Sequence, residues 1–510
     1  MAVLVLPTLL LSIDLTVLHL ALPHLAADLG PSSVQQLWIL DVYGFMVAGF
    51  LVTMGTLGDR VGRRKLLLIG AACFGAASVL AAYSTGPGML IATRAVLGVA
   101  GATLMPSTLS LIRNMFPHDG QRRTAVAVWT AALMGGVALG PVVGGLLLQW
   151  FWWGSVFLIG APIMLLLLVT APLLLPEYRD PGAGRLDPVS VLLSLATLLP
   201  AVYALKSIAT HGWGPVPVGA LVAAAVFGRF FVLRQRGLRS PLVDLRLFRH
   251  RAFTVGLGSL LLGALCLSAF MLLFAQYLQL VQGFGPTRSG LWMMPYALAT
   301  VVGMLCTPAL AARLGDARTT AGGLVTAALG FALLTLVRPD SGLEVGVTSA
   351  VLVGVGASPL MVLVTTLVIA EAPPEKSGAA SSLSETGQEL GAALGIATLG
   401  ALSTAVYRRM IDGNVPDGTP ERVAERAREN LPSAAAAAEG LPTRAAEELM
   451  ASAHDSFTAG LTIVGCVGAA VMLTLALLAR LVLRPGTPGG PGGPEPGKRT
   501  RRTTPRDIHS

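Results

Sequence analysis

GTLGDRVGRRK, at residues 55–65, separates two apolar runs near 38–58 and 66–84. Its glycines allow two helices to turn sharply and to pack closely against a neighbour. The Asp59 carboxylate can accept hydrogen bonds from the N-terminus of a helix or from an arginine. A loop that only orients the chain in a membrane would account for the arginines, but it would not require this spacing of glycine and aspartate.

Apolar runs of the same kind fill most of the chain. Of its 510 residues, 54% are hydrophobic and only 12% are charged, which is typical of an integral membrane protein. A helix needs about 20 apolar residues to cross the hydrocarbon core. We therefore predict an all-α membrane protein with fourteen transmembrane helices, near residues 2–23, 38–58, 66–84, 88–112, 124–148, 152–175, 188–206, 215–233, 253–280, 288–312, 319–337, 343–370, 380–406 and 457–483.

Basic residues alternate between the loops and predict the orientation of the chain. They occur in the loops after the second, fourth and eighth spans and are absent after the first, third and fifth. Because basic loops stay on the cytoplasmic side, we expect a multi-pass protein of the plasma membrane with both termini in the cytoplasm. The same bias accounts for most of the net charge of +9, so nucleic-acid binding is not predicted.

Segments outside the predicted spans carry little chemistry. Residues 407–456 are expected to form an outer loop with helical stretches that open at Thr419-Pro420-Glu421 and at Pro442-Thr443-Arg444. The tail, 485–510, is rich in Pro, Gly and Arg and is expected to be disordered. The first span lacks a basic leader and a cleavage site, which favours a retained helix with a cytoplasmic end that can be truncated. No metal site, cofactor or ATP-binding loop is predicted.

Three candidate acids lie inside predicted spans: Asp14 in the first, and Glu385 and Glu389 in the thirteenth. A charge near the bilayer centre costs roughly 2.5–3.5 kcal/mol, so we expect these acids to bind protons or cations. The i, i+4 spacing places Glu385 and Glu389 on one helix face. Two such carboxylates cannot both ionise cheaply, and one is expected to hold a proton that a lipophilic cation can replace. Pairing with bases of other spans is the alternative.

Further candidates lie in the first, second and fourth spans. Arg94 must pair or reach water inside the membrane, which makes it a candidate for proton relay or gating. His19 is either a proton relay or a hydrogen-bonded packing residue. Trp38 and Asp41 are candidates for an exit vestibule, although a solvated helix start explains Asp41 equally well. Tyr43 is one of several aromatic residues that could face a flat cation.

A glycine-rich motif occupies the fifth predicted span. Its glycines permit close helix contact, and its proline can bend the helix. A generic packing and kink motif is the alternative interpretation. The motif residues are Gly136, Gly140, Pro141, Gly144 and Gly145.

These patterns resemble signatures of the major facilitator superfamily. Residues 55–65 resemble its G-x-L-a-D-r-x-G-r-k loop, and residues 136–145 resemble the g-x-x-x-G-P-x-x-G-G signature of its antiporters. Residues 94–98 resemble R-x-x-q-G, with Leu97 in place of Gln. Residues 13–23 are similar to the l-D-x-T-v-v-n-v-A-L-P signature of fourteen-span drug:proton antiporters, with His19 in place of Asn. The acidic pair resembles that of exporters of quaternary ammonium compounds, and residues 313–318 look like a degraded copy of the 55–65 loop.

The resemblance implies a major facilitator fold with two six-helix bundles, at 1–175 and 253–483, and two additional central helices at 188–233. It implies alternating access, with a cytoplasmic gate latched by the 55–65 loop. The gate residues would be Gly55, Gly58, Asp59, Arg60, Gly62 and Arg63.

The implied function is proton-coupled multidrug efflux of lipophilic cations through Asp14, Glu385 and Glu389. Export of one antibiotic, or of another neutral or zwitterionic natural product, is the second interpretation. A membrane sensor or enzyme would need a soluble domain or a catalytic cluster, and the sequence contains neither pattern. We expect a monomer without a cofactor.

Overall fold

The computed structural model describes residues 1–31, 33–179, 187–211, 214–238, 241–339, 342–373, 376–416, 419–429, 431–438 and 441–482. These residues are almost entirely helical. Twelve of their helices are long and apolar enough to cross a membrane, so fourteen spans remain a prediction. The predicted disordered tail lies outside the described residues.

The first group of helices comprises α1 to α7. Leu11, Phe74, Leu104 and Phe157 lie in its buried apolar core. The helices are α1 (Ala2–Leu29), α2 (Ser33–Val61), α3 (Arg63–Ala82), α4 (Pro87–Met115), α5 (Asp119–Trp150), α6 (Ser155–Leu158) and α7 (Gly160–Leu174).

The linker consists of α8 (Pro188–His211), α9 (Pro215–Gly237) and the segment 241–249, which ends in a 3-10 turn at Leu247–Arg249. α8 packs along α2, where a Cβ on Gly49 would lie 2.6 Å from Leu199 Cδ2. α9 packs on α8, and much of its apolar surface is exposed.

The second group has its own apolar core, which includes Phe253, Phe270, Phe331 and Leu360. Three of its long helices contain a short π-helical stretch, at Tyr277–Val281, Leu360–Val364 and Ile396–Gly400. The helices are α10 (Arg251–Gln276), α11 (Pro286–Leu314), α12 (Asp316–Leu334), α13 (Leu343–Pro359), α14 (Thr365–Glu371), α15 (Ser377–Gly395), α16 (Ala401–Asp412), α17 (Glu421–Glu429), α18 (Leu431–Ala438) and α19 (Thr443–Val482).

The segment predicted as an outer loop at 407–456 is shorter than expected. α16 continues to Asp412, and α19 runs without a break from Thr443. Residues 443–456 are rich in Ala, Glu, Leu and Met, which favour helix strongly, so the helix extends beyond the apolar run that marks the span. α17 begins at Glu421, as the Thr-Pro-Glu order predicts, and Tyr407 donates a hydrogen bond to the Ala427 carbonyl at 2.8 Å.

Two glycines with positive φ turn the chain at equivalent points of the two groups. Gly62 (φ 119°) separates α2 from α3, and Gly315 (φ 83°) separates α11 from α12. Residues with a side chain rarely adopt this conformation. The shared turn supports the predicted duplication, but position 312, the counterpart of Asp59, is an alanine.

The glycine-rich motif packs α5 against α1. A Cβ on Gly136 would lie 2.5 Å from the Leu9 carbonyl oxygen, and one on Gly144 would lie 2.5 Å from Val17 Cγ2. Gly140 is buried, whereas Gly145 has open space beside it. The backbone of α5 is helical through position 141, and the Pro141 side chain lies outside the described residues. Gly136 and Gly144 therefore set how closely α5 approaches α1.

We predict that Gly136→Ala destabilises the protein by about 1–3 kcal/mol, because the new methyl group overpacks the α1 contact. Gly145→Ala is the matched control and should be neutral or slightly stabilising, since an alanine costs less entropy in a helix. Thermal unfolding of the two purified variants checks this difference. Equal effects would contradict the packing role of Gly136.

Candidate functional site

A buried ion pair joins α1 and α4. Arg94 Nη1 lies 2.6 Å from Asp14 Oδ2, and Arg94 Nε donates to the Ile39 carbonyl of α2 at 3.3 Å. Asp14 is 6% exposed and Arg94 is 1% exposed. In this conformation Asp14 pairs with a base of another span, which is the alternative to proton or cation binding that the sequence left open. Its carboxylate compensates the positive charge of Arg94.

Tyr43 of α2 completes this charged cluster. A Cβ on Gly98 would lie 2.5 Å from the Tyr43 carbonyl oxygen, so the missing side chain lets α4 approach α2. The Arg94 guanidinium lies 4.8 Å from the centroid of the Tyr43 ring and 5.9 Å from that of Phe157. Such cation–π contacts stabilise a buried cation. The spacing of Arg94, Gly98 and Gly101 indicates a close neighbour, but it does not identify Tyr43.

The two acids of α15 have different surroundings. Glu385 is 7% exposed, and neither of its carboxylate oxygens has a hydrogen-bond partner among the described residues. Glu389, one turn later, is exposed and interacts electrostatically with Glu385. Glu389 also interacts electrostatically with Tyr43, in the first group of helices. Glu389 of the second group and the Asp14–Arg94 pair of the first group therefore both act on Tyr43.

Glycines orient α15 so that its acids point away from α10. A Cβ on Gly387 would contact Leu257, and one on Gly391 would overlap the Leu261 carbonyl, so both glycines face α10. At about 100° per residue, the glycine face lies roughly opposite Glu385 and Glu389. The small residues that bring α15 against its own group thus present the acids to the other group.

Asp59 joins the two groups at the side where the basic loops lie. Its carboxylate accepts hydrogen bonds from the backbone N–H groups of Gly378, at 3.3 Å, and Ala379, at 3.2 Å, in the first turn of α15. It also pairs with Arg63, which is fully buried. An acid at a helix N-terminus complements the helix dipole. A Cβ on Gly378 would overlap the Arg63 guanidinium, so the contact requires glycine there.

Other polar contacts reinforce this junction. Arg113 of α4 donates to the carbonyls of Ala370 at 3.2 Å, Ala372 at 2.5 Å and Ile369, where α14 ends. A cation suits the C-terminus of a helix. The hydroxyl oxygens of Ser110 and Ser377 lie 2.5 Å apart. Sequence reasoning assigned Arg113 only an orienting role, because a contact to backbone carbonyls leaves no sequence pattern.

An ion pair between α5 and residues 313–318, the degraded copy of the 55–65 loop, also connects the two groups of helices. Arg123 Nη2 lies 2.8 Å from Asp316 Oδ2, at the start of α12. Asp316 comes directly after the turn at Gly315, whereas Asp59 comes before the turn at Gly62. The acids of the two loops therefore lie on opposite sides of their turns in the sequence.

The linker contributes to the same side. Thr56 of α2 donates to the Leu242 carbonyl at 3.0 Å, and Lys376, just before α15, lies 2.6 Å from Asp244. Gln235, near the end of α9, is buried: it donates to Ser190 Oγ at 2.8 Å and accepts from the Leu242 N–H at 2.7 Å. The segment 241–249 is therefore attached to both α2 and α15.

The remaining predicted residues have varied positions. A Cβ on Gly55 would overlap Ser382 of α15, and one on Gly58 would lie 2.7 Å from Arg63 Nη1. Arg60 is half-buried and Trp38 is exposed. The side chains of His19 and Asp41 lie outside the described residues. Sequence reasoning missed Glu177, which accepts from the N–H groups of Arg64 and Lys65, both at 3.1 Å, at the start of α3.

Comparison with known proteins identifies the family. Residues 4–396 match the sequence profile of the Major Facilitator Superfamily. The chain belongs to this superfamily. The family that the sequence motifs predicted is thereby confirmed, and superfamily membership points to a transporter.

Relatives within the superfamily carry names of drug exporters. The chain is 43% identical over 485 residues to the multidrug efflux pump LfrA of Mycolicibacterium smegmatis, covering 95% of this chain and 96% of the relative. It is 35% identical over 452 residues to the methyl viologen resistance protein SmvA of Salmonella typhimurium, covering 88% and 90%. It is 30% identical over 479 residues to the tetracenomycin C resistance and export protein of Streptomyces glaucescens, covering 92% and 88%.

The superfamily fold is also found in solved structures. The human organic anion transporter MFSD10 matches with a TM-score of 0.60 at 16% identity, covering 95% of this chain and 98% of that one. The predicted all-α major facilitator fold is confirmed by this likeness, which concerns the fold alone.

We predict strong coupling between Asp14 and Arg94 in a double-mutant cycle. Asp14→Asn or Arg94→Gln alone should cost about 3–5 kcal/mol of stability, because each leaves a buried charge uncompensated. The double variant should lose less than the sum. Unfolding of the purified variants measures this coupling, and Arg444→Gln, in an exposed pair with Glu448, is the control with an expected effect of about 0–1 kcal/mol. Additive effects would argue against the ion pair.

We also predict how the Asp244–Lys376 bridge depends on pH. Partial burial would raise the pKa of the Asp244 carboxyl, but hydrogen bonds from Lys376 and from the Arg246 N–H outweigh it, so the pKa lies below its ordinary value. Stabilisation by the bridge is then fully present above about pH 4, the unfolded-state pKa, and is lost as the pH falls through the lower folded-state pKa. The melting-temperature difference between wild type and Asp244→Asn should stay constant from pH 7 to 5 and shrink below about pH 4. A difference that shrinks between pH 7 and 5 would contradict this assignment.

Proposed function

We propose that the protein is a proton-coupled multidrug antiporter of the plasma membrane, which exports lipophilic cations by alternating access. The observation that carries this proposal is Glu385, a buried acid without a hydrogen-bond partner among the described residues, one turn from the exposed Glu389. The names of the relatives support the substrate class, since one is a multidrug efflux pump and another confers resistance to methyl viologen, a flat dication.

The surroundings of Glu385 suit exchange of a proton for a cation. A buried carboxylate without a donor or a cation beside it is tolerated best when it carries a proton. A lipophilic cation that enters the space beside α15 supplies the missing positive charge and allows the proton to leave. Glu389, exposed to the same space, attracts the cation first, and the two acids together then bind it.

Arg94 and Asp14 are the charged pair that the first group of helices contributes to this scheme. Glu389 and Arg94 both interact electrostatically with Tyr43, which makes Tyr43 the residue that links α15 to the ion pair in the proposal. We assign Arg94 the gating role and Asp14 the role of its counter-ion, which becomes available to a proton or cation when the pair opens. His19, predicted as a relay, lies five residues after Asp14 along α1.

The Asp59 contact to α15 forms the gate in this scheme. The basic loops assign the junction to the cytoplasmic side, so the conformation is closed toward the cytoplasm. When the gate opens, the N-terminus of α15 loses its acceptor, and the two groups of helices rock apart on that side. A cation then enters from the cytoplasm or the inner leaflet, and protons from outside displace it in the opposite state.

The number of protons exchanged determines which gradient drives export. Exchange of one monovalent cation for one proton uses only the pH gradient, at about 1.4 kcal/mol per pH unit. Exchange for two protons adds about 2.3 kcal/mol per 100 mV of membrane potential. Asp14, Glu385 and Glu389 are enough acids for either case.

Export of a single antibiotic is the second candidate function. Two relatives favour it by name: the tetracenomycin C resistance and export protein, and the probable actinorhodin transporter of Streptomyces coelicolor, which is 34% identical over 438 residues. The same fold and gate would serve this function, and the difference would lie in the substrate space.

Transport of ethidium in proteoliposomes under an imposed pH gradient tests the first function. Wild type should transport ethidium with the gradient and stop when it is collapsed. Glu385→Gln should abolish coupled transport, since a neutral amide cannot exchange a proton, and Glu389→Gln should weaken ethidium binding. Glu447→Gln, which removes an exposed acid at the start of α19, is the matched control and should transport normally.

Two outcomes would contradict the proposal. If Glu385→Gln keeps gradient-driven transport, the exchange does not use this acid. If wild type moves no cation but protects cells from one antibiotic class, the second function applies.

A further inference from the structure

A basic cavity opens beside the closed junction, between the end of α9, the segment 241–249 and the residue before α15. Its volume is about 620 Å³, and its wall contains Arg236, Arg246, Arg249 and Lys376. Asp244 also lines the cavity and is engaged by Lys376 at 2.6 Å. The lining residues thus include four basic side chains and one acid, Asp244. The wall carries a net positive charge, to which Arg236, Arg246 and Arg249 contribute.

We propose that this cavity binds the phosphate headgroup of an anionic phospholipid from the cytoplasmic leaflet. Arginine and lysine are the side chains that best recognise phosphate oxygens. Basic pockets beside transmembrane helices on the cytoplasmic side suit such headgroups. The cationic compounds assigned to the transport site would be repelled here, so the cavity is distinct from the substrate space.

The position of the cavity favours a lipid over a soluble anion. α9 is long and apolar enough to span the membrane, and Val226, Phe230 and Leu233 on it are exposed. The last two turns of the same helix supply Val232 and Arg236 to the cavity, and the exposed Phe248 also lines it. A headgroup in the cavity would thus leave its acyl chains beside an apolar helix face. A free phosphate would gain nothing from that face.

Native mass spectrometry of the purified full-length protein tests the site. Phosphatidylglycerol and cardiolipin should bind more tightly than phosphatidylcholine, and Arg236→Gln combined with Arg249→Gln should weaken their binding. At about 1 kcal/mol for each basic residue near the membrane surface, the loss should be about 5-fold per arginine and about 25-fold for the pair. Arg251→Gln is the matched control: Arg251 is exposed at the start of α10 but does not line the cavity, so binding should change little.

Charge-retaining variants separate the loss of charge from damage to the fold. Arg236→Lys combined with Arg249→Lys should keep most of the anionic-lipid binding, since lysine also binds phosphate. Binding that does not decrease in the Gln pair, or equal binding of phosphatidylcholine, would overturn the site. If inorganic phosphate or ATP binds in an Arg236-dependent way and phosphatidylglycerol does not compete, the ligand is a soluble anion and the lipid assignment is wrong. Neither result depends on transport, so the proposed function is tested separately.

Discussion

A charge inside a low-dielectric protein must be paired, capped by a helix end or neutralised, because the solvation it loses is otherwise not recovered. The buried charges of this chain satisfy the requirement in different ways. Arg94 pairs with Asp14 and stacks over Tyr43. Asp59 pairs with Arg63 and accepts from the first turn of α15. Glu385 is neither paired nor capped among the described residues. Neutralisation by a proton is the remaining option, and it is the basis of the proposed proton exchange.

Glycine makes these charge contacts possible. Gly98 lets α4 approach Tyr43, Gly136 lets α5 approach α1, and Gly378 leaves room for the Arg63 guanidinium. A methyl group on Gly98 or Gly136 would push against the backbone of the neighbouring helix, and one on Gly378 would displace the Arg63 guanidinium. Helices in a membrane gain little from burying apolar side chains against one another, so close backbone packing and polar contacts hold them together. Small residues and buried charges are therefore two parts of one arrangement.

The sequence predicted the features that depend on local pattern. Apolar runs predicted the helices, the 55–65 loop predicted the family, and the i, i+4 spacing placed Glu385 and Glu389 on one face. It did not predict that Arg113 binds the carbonyls at the end of α14, or that Gln235 holds the segment 241–249, because a backbone partner far away in the chain has no residue signature. The sequence predicted a helical stretch that opens at Thr443, but it did not predict that this stretch continues without a break into the last span as α19, since polar helix formers hide the continuity of a helix beyond its apolar run.

The Asp59 contact has an asymmetry that bears on evolution. One partner is a carboxylate, which only a few residue types can replace. The other is the main chain of α15, where position 378 must be glycine to leave room for Arg63, but the N–H group of position 379 is provided by every residue except proline. In the proposed scheme, side chains of α15 that face the transport site can therefore diverge between exporters without disturbing the recognition of its first turn. Substrate range and gate closure would then be encoded on the same helix, and natural selection could alter the first while leaving the second intact.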